Sequence, residues 1–398
     1  MSARRILVAL AAVLATLVVF VAGVVVGGHA QATGLTRLSD PLRSLLLGDS
    51  GQDLPSQVLG VLRDDYYRDV DVERLERASA DAIVKALDDP YTAYLDPDEL
   101  RALREHNEGA YYGVGLGVAQ RDAQIVVTRV FPESPASRAD VRAGDRLVAV
   151  EGEPVGDRTL EAVVSRIRGP EGTTVRIGVA TGDGPTRTLR LERARITVPA
   201  VEARAEAVAG TTVGYMALSQ FTRGASGDLR DSVRALRDRG AEALVLDLRG
   251  DPGGLVSEAV GVAGVFLPDD SPVVRTEGRN SPARTFRTEG DPAAGDLPLV
   301  VLVNRGSASA SEIVAGALRD ADRAQIVGER TFGKALVQST VPLRDGGALK
   351  LTTARYVTPD GFDLAARGLP PDVRVVDDPV TPPDEALRRA LAVAADAA

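Results

Sequence analysis

Three serines stand at alternate positions, Ser307, Ser309 and Ser311, where an apolar run gives way to a helix-forming stretch in NRGSASASEIVAG (304–316). A hydroxyl at a helix start lies beside unpaired N–H groups, which suit an oxyanion developing in acyl transfer. The same spacing gives Ser309 and Glu312 the S-x-x-E capping box of an ordinary helix. A nucleophilic serine needs a base, and the chain has only two histidines. His29 ends an apolar N-terminal run and His106 lies near the end of an early helical stretch, so neither neighbours the serines in sequence and the two make a poor metal site. The absence of cysteine removes thiolate nucleophiles, disulfides and Cys-ligated zinc.

Amines are almost as scarce. Of 47 Lys and Arg residues, only Lys85, Lys334 and Lys350 are lysines, and arginine keeps its proton. Lys334 sits in TFGKALVQ (331–338), between Phe332 and Leu336. An apolar setting disfavours the ammonium and prepares a lysine to act as a general base. Gln338, four residues on, would share a helical face with it or lie nearby and could orient the amine. A serine at a helix start and a half-buried lysine form the Ser-Lys alternative to the triad. Read alone, Lys334 is equally a surface residue on a strand edge. A third stretch, DLRGDPGG (247–254), places glycine N–H groups after a buried-type strand, where they could face a bound oxygen or form a plain turn.

The elements that must hold these residues follow from pattern. Arg4 and Arg5 precede the uncharged run Ile6–Gly28, long enough to span a membrane, with Ala30-Gln31-Ala32 resembling a cleavage site. An anchor with the remaining chain facing outward is expected, secretion after cleavage being the alternative. Residues 53–108 read as helical, with apolar positions such as Val58, Val61, Leu62, Leu75 and Ile83. DPYTAYLDP (89–97) interrupts them, and Asp96, Pro97 and Glu99 form a helix-start signature. From Tyr111 short strands follow, broken by one amphipathic helix with Leu160, Val163, Val164 and Ile167 on a single face. From about residue 186 the pattern is α/β, with continuous apolar strands in EALVLDLRG (242–250) and PLVVLVNRG (298–306) that suggest a sheet covered on both faces. The net charge of −9 argues against a nucleic-acid partner, and DLRGDPGG lacks the glycine spacing of dinucleotide or NTP sites.

Several stretches, in order from about 55 to 376, resemble the carboxyl-terminal processing (tail-specific) proteases of peptidase family S41, serine peptidases with an embedded PDZ domain. They are DPYTAYLDPDEL, GVGLGV (113–118), SPASRADVRAGDRLVAVEGEPV (134–155), RGPEGTTV (168–175), DLRGDPGG, VLVNRGSASASEIVAGALRDADRA, VGERTFGKALVQ and LKLTTARYVTPDG. The resemblance implies a multidomain α/β chain. An anchor or signal segment (1–30) and a linker with a helical region (31–98) would precede a β-rich PDZ domain (99–185), a crotonase-like α/β peptidase domain (186–376) and a tail (377–398). It makes Ser309 the nucleophile, Lys334 the base and Gln338 the residue that positions it. Backbone amides of Gly254 and Ala310 would form the oxyanion hole, with Gly253 the alternative to Gly254. Gly113, Val114, Gly115, Leu116, Gly117 and Val118 would receive a C-terminal peptide as an added strand. Two departures are DPGG for the commoner NPGG and Ala335 for a second glycine after the lysine. No cofactor or metal is expected; the partners are proteins with accessible C-termini and the membrane, and homodimer formation is open. A non-catalytic peptide receptor and a crotonase-type acyl-CoA enzyme are the competing readings. The joint presence of Ser309, Lys334 and Gln338 argues against the first, and the export signal and PDZ module against the second.

Overall fold

The computed structural model describes residues 54–398 apart from 122–123, 157, 183, 280, 366 and 377–383. The expected membrane segment lies outside the described residues, among which no helix is long and apolar enough to cross a membrane. Two compact units divide at Asp88. The first contains helices α1 (Leu54–Asp65) and α2 (Val72–Lys85), the second of them capped by Asp71, whose carboxylate accepts the Arg74 N–H at 3.0 Å.

The second unit opens with β1 (Ala93–Leu95) and α3 (Pro97–Asn107). The capping box expected here forms: Asp96 accepts the Asp98 and Glu99 N–H groups, and Glu99 accepts that of Asp96. After β2 (Ala110–Gly113) come β3 (Leu116–Arg121), β4 (Gln124–Val130), the short α4 (Pro135–Arg138), β5 (Arg146–Val150) and β6 (Glu153–Pro154). Then follow α5 (Leu160–Ile167), β7 (Thr174–Ala180), β8 (Arg187–Glu192) and β9 (Ala194–Thr197). The sheet runs β3-β4-β5-β7-β8, with β6 on β5, so β3 is an edge strand. Its core is Ile125, Val127, Leu147, Val175, Ile177 and Val179, closed by Val163 and Ile167 of α5. Antiparallel β2 and β9 form the ribbon on which the chain enters and leaves this module. The expected boundary at 185 cuts the β7–β8 hairpin, where Thr174 pairs with Glu192 and Leu191 completes the core. The expected start at 99 falls inside α3, which contributes no strand to the sheet.

The rest of the chain is β10 (Val201–Val208), β11 (Thr211–Leu218), α6 (Ala225–Asp238), β12 (Ala243–Asp247), α7 (Val256–Ala263), β13 (Pro272–Gly278) and β14 (Ser281–Arg287). It continues with β15 (Leu299–Val303), α8 (Ala310–Asp320), β16 (Gln325–Gly328), β17 (Leu336–Pro342), β18 (Ala348–Val357), β19 (Val373–Arg374) and α9 (Glu385–Asp396). One sheet, ordered β10-β11-β12-β15-β16-β19, is parallel from β11 onward. A second sheet carries β1, β13, β14 and β17 around β18.

Every residue of β12 and β15 is buried, as the apolar runs suggested. Leu244 and Leu246 face α6, α7 and α8, whereas Ala243 and Val245 face Ala386, Ala390 and Ala394 of α9. The C-terminal stretch expected as a separate tail is therefore one cover of the central sheet. Its small alanines let the helix sit close to the strands, and a half-buried ion pair secures its start. The Arg249 guanidinium donates to Asp247 at 2.7 Å and to Asp384 at 2.8 Å, and the Tyr215 hydroxyl donates to Asp247 at 2.9 Å. Replacing Arg249 by Met leaves the buried Asp247 without its cation, and should lower stability by about 3 kcal/mol in urea denaturation.

Candidate active site

The parallel strands β12 and β15 end side by side, in register from Leu244–Leu299 to Asp247–Leu302. Their following loops, 248–255 and 304–309, are thereby neighbours, although about 55 residues separate them in the sequence. Asn304 joins them by accepting the Gly250 N–H at 2.9 Å, and the Ser307 hydroxyl donates to the Leu248 carbonyl at 2.7 Å. Asp251 adds two more ties, its carbonyl accepting the Ala308 N–H at 3.0 Å and the Ser311 hydroxyl at 3.0 Å.

Ser309 sits between these loops and α8 with φ 55° and ψ −112°. An ordinary N-cap has extended backbone, so this is a sharp turn that costs of order 1–3 kcal/mol and needs outside support. Gly253 packs against it: a Cβ there would come within 2.8 Å of the Ala308 oxygen, the Ala310 nitrogen and the Ser309 Cβ. The Gly253 N–H donates to the Asp251 carboxyl at 2.8 Å, and its carbonyl accepts the Phe221 N–H at 3.1 Å. Phe221 in turn accepts the Leu255 N–H at 2.9 Å. Between these bonds the Gly254 N–H has no acceptor among the described residues, and neither has that of Ala310 at the start of α8. Two unspent donors thus flank Ser309.

Glu312 does far more than a helix cap. It is fully buried, and one carboxylate oxygen accepts the Ser309 N–H at 2.9 Å and the Lys334 N–H at 2.9 Å. Its other oxygen accepts the Gly333 N–H at 2.7 Å and the Thr331 hydroxyl at 2.6 Å. One side chain therefore binds the serine turn to the backbone of the lysine loop. Tyr356 of β18, also buried, donates its hydroxyl to the Lys334 carbonyl. Burial pushes this phenol well above its ordinary value, the nearby Glu312 carboxylate adds to that, and the Ser309 hydroxyl partly opposes it.

Lys334 is half-buried in the loop before β17, and Gln338 lies on that strand after a bulge at Val337. Of the two placements expected for the pair, a shared helical face or simple proximity, the first is absent because this segment is extended. Gln338 donates instead to the Leu336 carbonyl at 3.4 Å. The Lys334 amine makes no hydrogen bond to Ser309 or Gln338, and it rests 4.9 Å from the centroid of the Tyr91 ring. Burial holds its pKa below the ordinary lysine value, and Lys350 acts in the same direction. Glu312, Tyr356 and Tyr91 all lie in stretches singled out by the sequence, but none has a spacing signal that points to Lys334.

A second concave surface lies in the β3–β8 module. A cavity of about 280 Å³ is lined by Leu116, Gly117 and Val118 of the edge strand, Val164 and Ile167 of α5, and Phe131. Of the expected peptide-binding residues, Gly113 ends β2 and Val114 is buried in the module's core. Gly115 turns with φ 82°, where a Cβ would lie 2.1 Å from Ser134 Cβ. Tyr111 and Arg168 at the end of this groove also line a neighbouring cavity of about 270 Å³, which reaches Ser219, Gln220 and Thr222 beside Phe221. Among the described residues no cluster of acidic and His side chains could hold a metal ion.

The profile of Peptidase family S41 matches residues 212–375, and that of the PDZ domain matches residues 126–181. A solved photosystem II D1 C-terminal processing protease is 34% identical, with 78% of this chain and 84% of that one covered at a TM-score of 0.50. The chain belongs to peptidase family S41. The PDZ match falls within the β3–β8 module, and the S41 match within the two-sheet body, to which β1 is added from before that module. Two proteins named probable CtpA-like serine protease, from Staphylococcus haemolyticus and Staphylococcus aureus, are 35% and 36% identical over 79% and 80% of this chain. The chain spans 62% and 63% of their lengths.

The Glu312 hub has a direct check. Glu312→Gln keeps the volume but presents one acceptor oxygen to four donors, so two N–H or O–H groups lose their partners. Stability should fall by about 2–3 kcal/mol, and amide exchange should accelerate at Gly333 and Lys334 ahead of the central strands.

Proposed function

We propose that this S41 protein is a serine endopeptidase that cleaves protein substrates near their C-termini through Ser309 and Lys334, the tail being recognised by its PDZ domain. The observation that carries this reading is the strained Ser309 turn with two unspent N–H groups beside it, tied through Glu312 to the lysine loop. Ser309 Oγ attacks the scissile carbonyl and gives its proton to neutral Lys334. The oxyanion accepts hydrogen bonds from the Ala310 and Gly254 N–H groups; Gly253 is unsuited because its own N–H is held by Asp251. Collapse of the intermediate expels the amine, which takes the proton from Lys334, and water then hydrolyses the acyl-enzyme. To act, the lysine amine leaves the Tyr91 ring for Ser309, with Gln338 positioning it there. The apolar groove along β3 accepts the substrate's last residues as an added strand, and the shared wall of Tyr111 and Arg168 leads from it toward the peptidase domain. The same reading places the catalytic domain outside the cytoplasm, tethered by the apolar run Ile6–Gly28 or released by its cleavage.

Ser309→Ala and Lys334→Met should each lower kcat by about 10³-fold or more while leaving peptide binding intact, and Ser309→Ala should abolish labelling by a fluorophosphonate. Lys334→Arg should not restore activity, since a guanidinium cannot lose its proton. Because the base works unprotonated, the acid limb of the pH–rate profile should rise with pH as Lys334 loses its proton; an unchanged rate in Lys334→Met would refute the dyad. The recognition step has its own measurement. Amidating the C-terminus of a peptide substrate should lower kcat/KM at least tenfold in the full chain, and equal rates for amide and acid would remove carboxylate recognition from the mechanism.

A further inference from the structure

Asp251 lies in the loop that carries Gly253 and Gly254, and no part of it reaches solvent. One carboxyl oxygen accepts the Gly253 N–H, and the other has no hydrogen-bond partner among the described residues. Its backbone carbonyl holds Ala308 and Ser311, so this residue connects the oxyanion loop to both sides of Ser309. A buried carboxylate with an empty oxygen requires a cation, and the surrounding charges are engaged elsewhere. On its own loop, Arg249 turns to Asp247 and Asp384. From the serine turn Arg305 pairs with Glu329, and beyond Phe221 Arg223 pairs with Glu108. On α8 the Glu312 oxygens are filled by the serine turn and lysine loop, and the Lys334 amine rests against Tyr91. Burial pushes the Asp251 carboxyl up to about 7, with the Gly253 N–H and the Ser311 hydroxyl opposing that only in part.

We propose that Asp251 works as a neutral carboxylic acid, a positioning residue that holds the Gly253 N–H inward and leaves the Gly254 N–H facing Ser309, and that its ionisation disables the oxyanion site. This rests on the Ser309–Lys334 reading. Ionisation releases one proton to solvent and leaves a negative charge beside the amides that must stabilise an oxyanion, where like charges repel in a poorly solvated setting. Lys334 must lose a proton and Asp251 must keep one. The rate therefore follows a bell, with Lys334 on the acid limb and Asp251 on the alkaline limb.

The test is the pH profile of kcat/KM for the full chain and for Asp251→Asn, on an unstructured peptide with a free C-terminal carboxylate. The variant should keep the acid limb and lose the alkaline one, gaining about tenfold over wild type for each pH unit above the wild-type transition. An alkaline limb that stays in place overturns the proposal, as does a folded variant that is inactive at every pH. A second measurement needs only the wild-type fold: with aspartate carboxyls labelled with carbon-13, one resonance should titrate near neutrality. If every aspartate titrates in the ordinary acidic range, Asp251 is not the neutral acid. Undiminished turnover in Ser309→Ala or Lys334→Met would instead sink the dyad, and the aspartate titration, which requires no turnover, keeps the two failures apart.

Discussion

A single buried carboxylate, that of Glu312, decides whether the serine and the lysine belong to one site. Ser309 reaches its position through the end of β15, and Lys334 reaches its own through the loop ahead of β17 in the other sheet. Without a tie, each would move with its own element. Four donors converge on the carboxylate, two from the lysine loop's backbone, one from Thr331 and one from Ser309 itself. Hydrogen bonds to an ionised acceptor are stronger than neutral ones, and a low-dielectric surrounding makes losing any of them expensive. The precision of the site is therefore anchored in backbone N–H groups rather than in long, mobile side chains.

The opposite wall of the site has a different economy. The loop after β12 brings Gly253 against the Ser309 turn and Gly254 against Phe221, at conformations and separations that no Cβ would permit. Its hydrogen bonds consume the Gly253 N–H and spare that of Gly254. Strain at Ser309 is held by these contacts and by the Glu312 bond, which is how a sharp turn persists at a functional position. Lys334 remains the adjustable part. Its backbone is bound at the N–H by Glu312 and at the carbonyl by Tyr356, whereas its amine rests against the Tyr91 ring.

Much of this was legible in linear order. The apolar runs of β12 and β15, the amphipathic face of α5 and the Asp96 capping box follow from local pattern, because burial and capping impose fixed periods and offsets. Lys334 stood out through the scarcity of histidine and lysine, whereas Ser309 was singled out among three serines by the family resemblance alone. Legibility failed where the signal was shared or the partner distant. Glu312 matches a helix cap in sequence and does bond the Ser309 N–H, which conceals its three other donors. Gln338 was expected to share a helical face with Lys334 or to lie nearby, and β pairing with β18 removes the first alternative by extending the segment. The PDZ boundary slipped because β8 is polar on alternate residues, and only its pairing with β7 assigns it to the module. The alanine-rich C-terminus carried no hint that it covers the central sheet.

The sequence by itself determined the order of the elements, the family to which the chain belongs, and a short set of groups capable of acyl-transfer chemistry. These depend on residue type and on spacings of a few positions, where local sterics and burial dominate. Tertiary structure alone decided which of the N–H groups of Gly253 and Gly254 lacks an acceptor among the described residues and which carboxylate joins the Ser309 turn to the Lys334 loop. It alone decided that Asp251 lies buried with one oxygen unpartnered among the described residues. Those properties arise when parallel strands distant in sequence end side by side, since hydrogen-bond partners and loss of solvent are fixed by packing and have no linear code.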